Sequence, residues 1–449
     1  MTRRYSPRRP SASTARLAAA VGAGVLAIAA CSSSSSGASP TNTGSSTSGT
    51  IVWWASPIAG SGATDTRTVL INAFEKQYPK IHVTLENAST NTDTNRATLA
   101  TQISGGSTTP DVFMGDVIWP AQFGAHQLAV PLSKYLPKSY FAQFAPGLVK
   151  GATYKGQVYG SPLFEDQGFL YYRKDLLAKD HLPVPKTWEQ LMSEAKIMQK
   201  KKQVKYGFVW EGASYEGLTC DFMEYLTDAG GTATNSGFTK ATLNTPAAIK
   251  AVTFMRSLIT SGVTPAAVTT FQEPQAMDAF AGGQAAFLRN WDYAYSYANT
   301  PSTSKVVGKV GVAPLPTFAG QSYPGYSNIG GWNMYINPHS KHLSLDLTFI
   351  KWLASPAAQR ILALKYSEIP TNESVRTSPA VIKSNAVLAI VPQTRLVPRP
   401  AGTPNYPALS TAIYQNVNAV LAGSASPSSA MSAANAQANS ALTSAAGGL

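Results

Sequence analysis

The chain has 449 residues, 44% of them hydrophobic, which is enough material for two lobes with cores of their own. Its formal net charge is +13, but five of the positive charges are arginines within the first 16 residues, which leaves +8 for the rest. This thin excess argues against a nucleic-acid-binding surface, and two cysteines in so long a chain argue against a disulfide framework.

The first 50 residues have the composition of an export signal followed by a tether. Arginines precede the apolar run Leu17–Ala30, and Ser, Thr and Gly dominate from Cys31 to Thr50. This order resembles a bacterial lipoprotein signal, in which the cysteine becomes the lipid-bearing first residue. We therefore expect residues 1–30 to be removed and residues 31–50 to be a tether. Cys31 would then carry the lipid that anchors the exported protein on the outer face of the cytoplasmic membrane. The alternative is an ordinary signal peptide in which Cys31 is incidental.

Strands and helices alternate after the tether. Runs of β-branched and aromatic residues predict strands, and apolar residues three and four apart predict helices. In chain order the sequence predicts strand 51–54, helix 66–77, strand 81–85, helix 95–103, strand 111–114, helices 188–201 and 246–261, strands 310–312 and 332–336, and helices 344–354 and 408–422. Thr187 is the predicted cap of one helix, with Gln190 at its third position, and Pro246 opens another. The Ala/Ser-rich tail, 424–449, is expected to be a weak helix that frays.

This alternation predicts an α/β fold. Successive strand–helix units imply a mostly parallel sheet, and ligands of such sheets bind outside the carboxyl ends of the strands. Cys220 is the second cysteine, and it is expected to be a small buried apolar residue. Because a single thiol forms no internal disulfide, the folded body depends on its apolar core for stability.

Several strand ends and loops combine aromatic rings, carboxylates and paired glycines. A sugar offers flat C–H faces to aromatic rings and adjacent hydroxyls to carboxylates, and glycine lets the backbone approach a ligand closely. One Trp alone is more often part of a core and one Asp alone is more often a cap, but five such segments in one chain indicate a sugar site. They are Asp116–Trp119, Phe164–Asp166, Asn290–Tyr293, Gly330–Trp332 and Pro398–Pro400.

Longer stretches have the form of family signatures. Leu170–Leu177, which reads LYYRKDLL, is the most general of them. The more specific stretches are Ala73–Pro79, Pro110–Trp119, Tyr206–Gly212, Tyr215–Leu218, Cys220–Phe222, Lys309–Pro316 and Pro398–Pro400. From Ile51 to Leu421 the chain thereby resembles the extracellular solute-binding proteins of ABC sugar importers, and within them the trehalose/maltose-binding branch.

The resemblance implies roles for individual residues. Carboxylates of both lobes would hold sugar hydroxyls, aromatic rings would stack on the sugar, and arginines would bind further hydroxyls. The matching positions are Asp116 and Asp166 for the carboxylates, Trp291 and Tyr293 for the aromatic platform, Gly331 and Trp332 for a close backbone contact and a second ring, Arg399 for the guanidinium, and Arg96 for an arginine near the first-lobe subsite.

Two departures from the family pattern concern the identity of the sugar. Relatives often have tyrosine where this chain has Phe164, so we expect one hydroxyl contact either to be lost or to be replaced by Glu165. The loop Ala55–Thr64 is long and rich in Gly and Ser, and the acid that relatives place there has no clear match. Asp65 is the nearest candidate.

The resemblance also implies a fold and a mechanism. The fold is the two-lobe periplasmic-binding-protein fold, with each lobe a mostly parallel sheet flanked by helices and a hinge between the lobes. We expect lobe 1 to comprise 51–160 and 298–336, and lobe 2 to comprise 161–297 and 337–423. The lobes would close on a disaccharide, which is trehalose, maltose or a related α-glucoside, and deliver it to two membrane permease subunits of an ABC importer. No cofactor is implied, and a monomer is expected.

Other functions compete with that of a sugar receptor. Asp116, Glu165 and Asp166 would suffice for an anchored glycoside hydrolase, which needs two carboxylates about 5 to 10 Å apart. The resemblance accounts for each of these acids without catalysis, so we predict no enzyme activity. A binding protein for a non-sugar solute, such as a glycerol phosphodiester, stays open. His339 and His342 have no cysteine or acid close by in the sequence, so no metal site is predicted.

Overall fold

Strands and helices alternate along the chain in a computed structural model, which describes residues 46–58 and 65–444. The predicted signal peptide, the lipidation site Cys31 and loop residues 59–64 lie outside the described residues. The strands of the described part are β1 (Gly49–Ala55), β2 (Ile81–Asn87), β3 (Val112–Asp116), β4 (Thr153–Tyr154), β5 (Gln157–Val158), β6 (Ser161–Arg173), β7 (Tyr206–Val209), β8 (Ala285–Trp291), β9 (Val310–Ala313), β10 (Tyr326–Ile336), β11 (Ile369–Pro370) and β12 (Arg395–Val397).

The helices of the described part are α1 (Thr66–Gln77), α2 (Thr92–Ser104), α3 (Pro120–Ala125), α4 (Lys138–Phe141), α5 (Pro146–Gly151), α6 (Lys174–Asp180), α7 (Trp188–Lys200), α8 (Glu216–Asp228), α9 (Pro246–Thr260), α10 (Glu273–Ala281), α11 (Ala294–Ala298), α12 (Leu343–Leu353), α13 (Pro356–Tyr366), α14 (Glu373–Arg376), α15 (Pro379–Ile382), α16 (Ala386–Ile390), α17 (Tyr406–Ala422) and α18 (Pro427–Thr443). None of these helices is both long enough and apolar enough to cross a membrane.

Local capping explains where the predicted helices begin. Asp65 accepts a hydrogen bond from the backbone N–H of Arg67 and so starts α1. The Thr187 hydroxyl accepts one from the backbone N–H of Gln190 and starts α7, and α9 has Pro246 at its first position. These three helices begin where the sequence predicts, since each start is decided by residues that are neighbours in the chain.

The main sheet is mixed, whereas the sequence predicted mostly parallel strands. Its order is β2-β1-β3-β10-β6-β8-β7, with β9 and β11 on β6 and β12 on β10. β1 runs parallel to β2 and β3, and β7 runs parallel to β8. β10 runs antiparallel to both β3 and β6, and β6 runs antiparallel to β8. The α/β class is confirmed. The two long central strands, β10 and β6, run antiparallel to the strands beside them in this order, and hydrophobic periodicity does not reveal strand direction.

One apolar core packs around β1, β2 and β3, which together with α1, α2, α12 and α13 we call the first lobe. Phe349 of α12 lies 5.2 Å from the ring of Trp53 and 4.9 Å from that of Phe74. The sequence had assigned 337–423 to the other lobe, because a pattern of elements does not tell which part of the sheet a helix covers. We propose a boundary that places 343–366 with the first lobe.

Two further apolar clusters pack around β7, β8 and β9, which together with α7, α8, α9, α10, α17 and α18 we call the second lobe. The larger cluster continues to Leu99 of α2 and Phe113 of β3. The rings of Trp188 and Tyr225 pack against each other in the larger cluster, with centroids 4.6 Å apart and planes tilted by 36°.

The predicted helix of the tail is present as α18, but it packs against α17 and α9 and buries Met431 completely, which is not expected of a helix that frays. Ala430, Ala434 and Ala438 of α18 are buried and lie one helical turn apart. Their small side chains let α18 lie close to α17, and this packing stabilises a helix whose two faces differ little in polarity.

Candidate functional site

A cleft with a cavity volume of about 150 Å³ lies where β3, β10, β6 and β8 run side by side. Seven of the nine predicted sugar-binding residues line it: Asp116, Asp166, Trp291, Tyr293, Gly331, Trp332 and Arg399. Residues that were not singled out also line it, among them Glu216, Cys220 and Glu273. Five separate segments of the sequence, the ones singled out above, thus converge on one cavity.

Strand register brings the cavity residues together. Trp332 of β10 pairs with Asp116 of β3. On the other side of β10, Gly330 pairs with Asp166 of β6. Trp291 of β8 pairs with β6 two residues further on, at position 168. Because neighbouring strands lie only about 5 Å apart, this register places carboxylates and aromatic rings at adjacent positions.

Arg399 connects two acids of the cavity. Its guanidinium donates to both carboxylate oxygens of Asp116, at 2.7 and 3.2 Å, and to Oε1 of Glu216 at 2.9 Å. All three side chains are buried. The paired Nη1 and Nη2 atoms are therefore fixed, whereas Nε of Arg399 is buried and has no hydrogen-bond partner among the described residues. The Nε–H group of Arg399 is thus a hydrogen-bond donor, in a residue that lines the cavity, to which no described residue offers an acceptor.

Glu216 is a site residue that the sequence analysis missed. It is the first residue of α8, and its carboxylate also accepts hydrogen bonds from the hydroxyls of Tyr406 and Ser410. Burial raises the pKa of Glu216 to about 7, although the Arg399 charge opposes this shift. Glu216 lies in the stretch Tyr215–Leu218, which was recognised as a family signature. That stretch does not reveal that the start of α8 lies near Asp116 of β3, to which Arg399 connects it.

Asp166 belongs to a group of three buried carboxyls with Asp292 and Glu368, whose oxygens lie within 4.8 Å of one another. Burial raises the pKa of Asp166 to about 7 and holds the pKa values of Asp292 and Glu368 well above their usual range. Charge repulsion from Asp166 adds to this shift at both Asp292 and Glu368. Backbone N–H groups of Gln167 and Ile369 donate to Asp292. Among the described residues, these three carboxyls have the arrangement that a cation would need, but their raised pKa values favour shared protons.

The Trp291 ring rests on a buried cation. The guanidinium carbon of Arg289 lies 4.1 Å from the centre of the ring. Three buried carboxylates hold Arg289 in place at 2.5 to 3.0 Å, and they belong to Glu211, Asp221 and Glu224. Such a contact fixes the plane of an indole ring as well as contributing attraction. The aromatic wall of the cavity is therefore rigid before any ligand arrives.

Two predicted residues lie outside the cavity lining. Glu165 is buried and pairs with Arg376 at 2.6 Å while accepting a hydrogen bond from Gln167, so its oxygens are already occupied. Arg96 donates to Gln122 at 3.4 Å and does not reach the cavity lining. Asp65, the weaker candidate, pairs with the arginine two residues later at the start of α1.

Comparison with known proteins shows the family and the fold of the chain. The family model of the bacterial extracellular solute-binding proteins matches residues 45–360. A probable ABC transporter-binding protein of Deinococcus radiodurans is 34% identical over 348 residues, which cover 76% of this chain and 81% of that protein. Maltose-bound MalE3 of T. maritima superimposes with a TM-score of 0.80 at 34% identity and covers 87% of this chain and 98% of its own.

A second solved structure is more distant. It is an ABC transporter solute-binding protein of Thermotoga lettingae with α-D-tagatose bound, with a TM-score of 0.76 at 26% identity, and it covers 88% of this chain and 100% of its own. The predicted two-lobe periplasmic-binding fold is confirmed by these likenesses.

Proposed function

Since the chain belongs to the bacterial extracellular solute-binding proteins of ABC importers, we propose that its cleft binds a disaccharide, either maltose, trehalose or a related α-glucoside. Maltose is the ligand of the MalE3 structure, which is more similar to this chain than the structure that holds the monosaccharide tagatose. We place the sugar against Trp291 and Trp332, with its hydroxyls toward Asp116 and Asp166.

The convergence of aromatic rings and carboxylates in one cavity is the observation that carries this proposal. Trp291, Tyr293 and Trp332 line the same cavity as Asp116 and Asp166. Rings cover the C–H faces of a sugar, and carboxylates accept hydrogen bonds from adjacent hydroxyls. The cavity contains more acids than bases, which suits a neutral polyol better than an anionic solute.

Capture would proceed by closure of the two lobes. The first lobe offers Asp116, and the second lobe offers Trp291 and, through the loop before α17, Arg399. A ligand that contacts both lobes stabilises their closed arrangement and so shifts the population toward it. The buried Nε of Arg399 would donate to a hydroxyl as the cleft closes. We propose that the chain crosses between the lobes, and forms the hinge, near 160–162, near 291–297 and after 336.

Delivery and anchoring complete the proposed role. The closed receptor would dock on two permease subunits of an ABC importer in the membrane. Cys31 would carry the lipid that keeps the exported protein, as a monomer, on the outer face of the cytoplasmic membrane.

The arrangement of the acids disfavours the glycoside hydrolase. Asp116 and Glu216 are both tied to Arg399, and Glu165 is tied to Arg376. A retaining or inverting hydrolase needs one carboxyl free to give a proton and a second free to attack or to activate water. We therefore propose a receptor without enzymatic activity.

A thermal-shift screen against maltose, trehalose, sucrose, tagatose, mannitol and a glycerol phosphodiester tests the proposal. A ligand at 100 times its dissociation constant stabilises the folded state by about 2.7 kcal/mol and raises the unfolding midpoint. We expect a disaccharide to do so, and we expect Trp291→Ala to abolish the rise. Trp352→Phe is the matched control, since Trp352 is a buried tryptophan of the first-lobe core. A shift with the phosphodiester alone, or consumption of a sugar, would refute the proposal.

A further inference from the structure

The N-terminus of α8 is capped by a residue of the opposite lobe. The residue before this helix, Tyr215, makes no capping hydrogen bond with its side chain. The backbone N–H of Glu216 donates instead to Oδ2 of Asp93 at 3.1 Å. Asp93 lies in the first turn of α2, 123 residues earlier in the chain. A carboxylate at a helix N-terminus satisfies a free N–H and is favoured by the helix dipole.

This contact borders the cavity without forming part of its lining. Thr92 and Glu216 line the cavity, but Asp93 does not. The side chain of Glu216 meets Arg399, which pairs with Asp116 of the first lobe. Two links therefore cross the cleft at the start of α8, one through the Glu216 backbone and one through its side chain. Only the backbone link leaves the predicted ligand contacts untouched.

We propose that Asp93 is a positioning residue for ligand capture, which holds α2 against α8 and thereby sets the affinity for the sugar without contacting it. The inference rests on the proposed function of the cleft. A hydrogen bond between the lobes stabilises the arrangement in which they are in contact, with or without ligand. The apparent affinity of a ligand then follows the fraction of protein that can close around it.

The substitution Asp93→Ala removes the acceptor and tests the inference. We expect the dissociation constant for maltose, followed by tryptophan fluorescence, to rise about tenfold, equivalent to about 1.4 kcal/mol. The rise should come from faster dissociation, because the contacts that guide the sugar into the open cleft are unchanged. Asp93→Asn keeps an acceptor oxygen but loses the charge, and its effect should be smaller.

Asn91→Ala is the matched control. Asn91 caps α2 itself, with its side chain accepting from the backbone N–H of Thr94 at 3.0 Å, and the bond is exposed. Loss of this cap costs the same helix a similar amount of stability. It removes no contact between the lobes, so we expect the maltose dissociation constant to stay within twofold of that of the unmodified protein.

Two results would overturn the inference: equal maltose affinity in Asp93→Ala and the unmodified protein, or an equally large loss in Asn91→Ala. If the unmodified protein binds neither maltose nor another sugar, the proposed function fails instead. Hydrogen exchange of the Glu216 amide in the ligand-free protein then decides the role of Asp93. Faster exchange in Asp93→Ala than in Asn91→Ala supports the cross-lobe cap, and equal exchange refutes it.

Discussion

Gly331 lies in β10, at a position where this strand pairs with β6, and it lines the cavity. Its φ is +114°, and a Cβ atom there would lie 2.5 Å from the carbonyl oxygen of Phe164. Both the backbone conformation and the close approach require glycine. The neighbouring strand carries Asp166, so the exact path of β10 at this residue decides how closely a ligand can approach that acid.

Gly331→Ala is expected to destabilise the protein by about 1–3 kcal/mol, the cost of a side chain in a disallowed conformation. Urea unfolding measures the change. Gly147→Ala is the control: Gly147 lies in α5, has no atom within 4 Å of a Cβ position, and should change stability by no more than about 1 kcal/mol. Equal losses at the two positions would contradict this account of Gly331.

Asp116→Asn is expected to raise the sugar dissociation constant at least tenfold. The amide keeps the shape of the side chain, but it removes the charge that pairs with Arg399 at 2.7 Å and weakens the acceptor offered to hydroxyls. Asp175→Asn, which alters an Asp–Arg pair with Arg173 outside the cavity, is the control and should leave affinity unchanged. Calorimetric titration measures both, and unaltered binding in Asp116→Asn would remove this acid from the site.

At the scale of elements, helices were easier to predict than strand directions. The start of α7 depends on Thr187 and Gln190, which are neighbours in the chain, and the sequence therefore contains it. The antiparallel course of β6 and β10 depends on which distant strands they join, and α18 is held by packing against α17 rather than by its own pattern. Both depend on tertiary contacts that periodicity does not report.

Met431→Ala tests whether α18 is an integral part of the second lobe. Met431 is completely buried between α18 and its neighbours, and truncation of a buried methionine costs about 2–5 kcal/mol. Ser432→Ala, one residue further on and exposed, should change stability by less than about 0.5 kcal/mol. Urea unfolding that finds Met431→Ala as stable as the control would mean that the helix frays after all.

At the scale of the whole molecule, the sequence predicted which residues line the cleft better than it predicted the contacts between them. Strand-end residues such as Asp116 and Trp291 could be found because each ends a buried strand, which is a local pattern in the sequence. Glu216 could not, because its place in the site depends on the approach of α8 to β3 across the cleft. Glu165 lies outside the cavity lining because it pairs with Arg376, which is 211 residues away in the chain, and the sequence does not reveal that pairing.

Buried acids make stability depend on pH across the molecule. Burial raises the pKa values of Asp166, Glu194, Glu216 and Asp228 to about 7, whereas unfolded acids titrate near 4. Between these values the folded state holds protons that the unfolded state releases. The contribution of these acids to the free energy of unfolding is therefore largest below about pH 4 and is lost as the pH rises through about 7. We expect the free energy of unfolding, from urea titrations, to be larger at pH 5 than at pH 8, and Glu194→Gln to reduce the difference. A larger value at pH 8 would contradict the burial of these acids.

Calorimetric titration of the unmodified protein and of Trp291→Ala with maltose and trehalose tests the central claim, that the cleft is a disaccharide site, most directly. The account predicts one site per chain with micromolar or tighter affinity for at least one of the two sugars, equivalent to about −8 kcal/mol or more favourable, and loss of that binding in Trp291→Ala. Binding that survives unchanged in the variant would place the sugar elsewhere, and absence of binding by both sugars would contradict the claim.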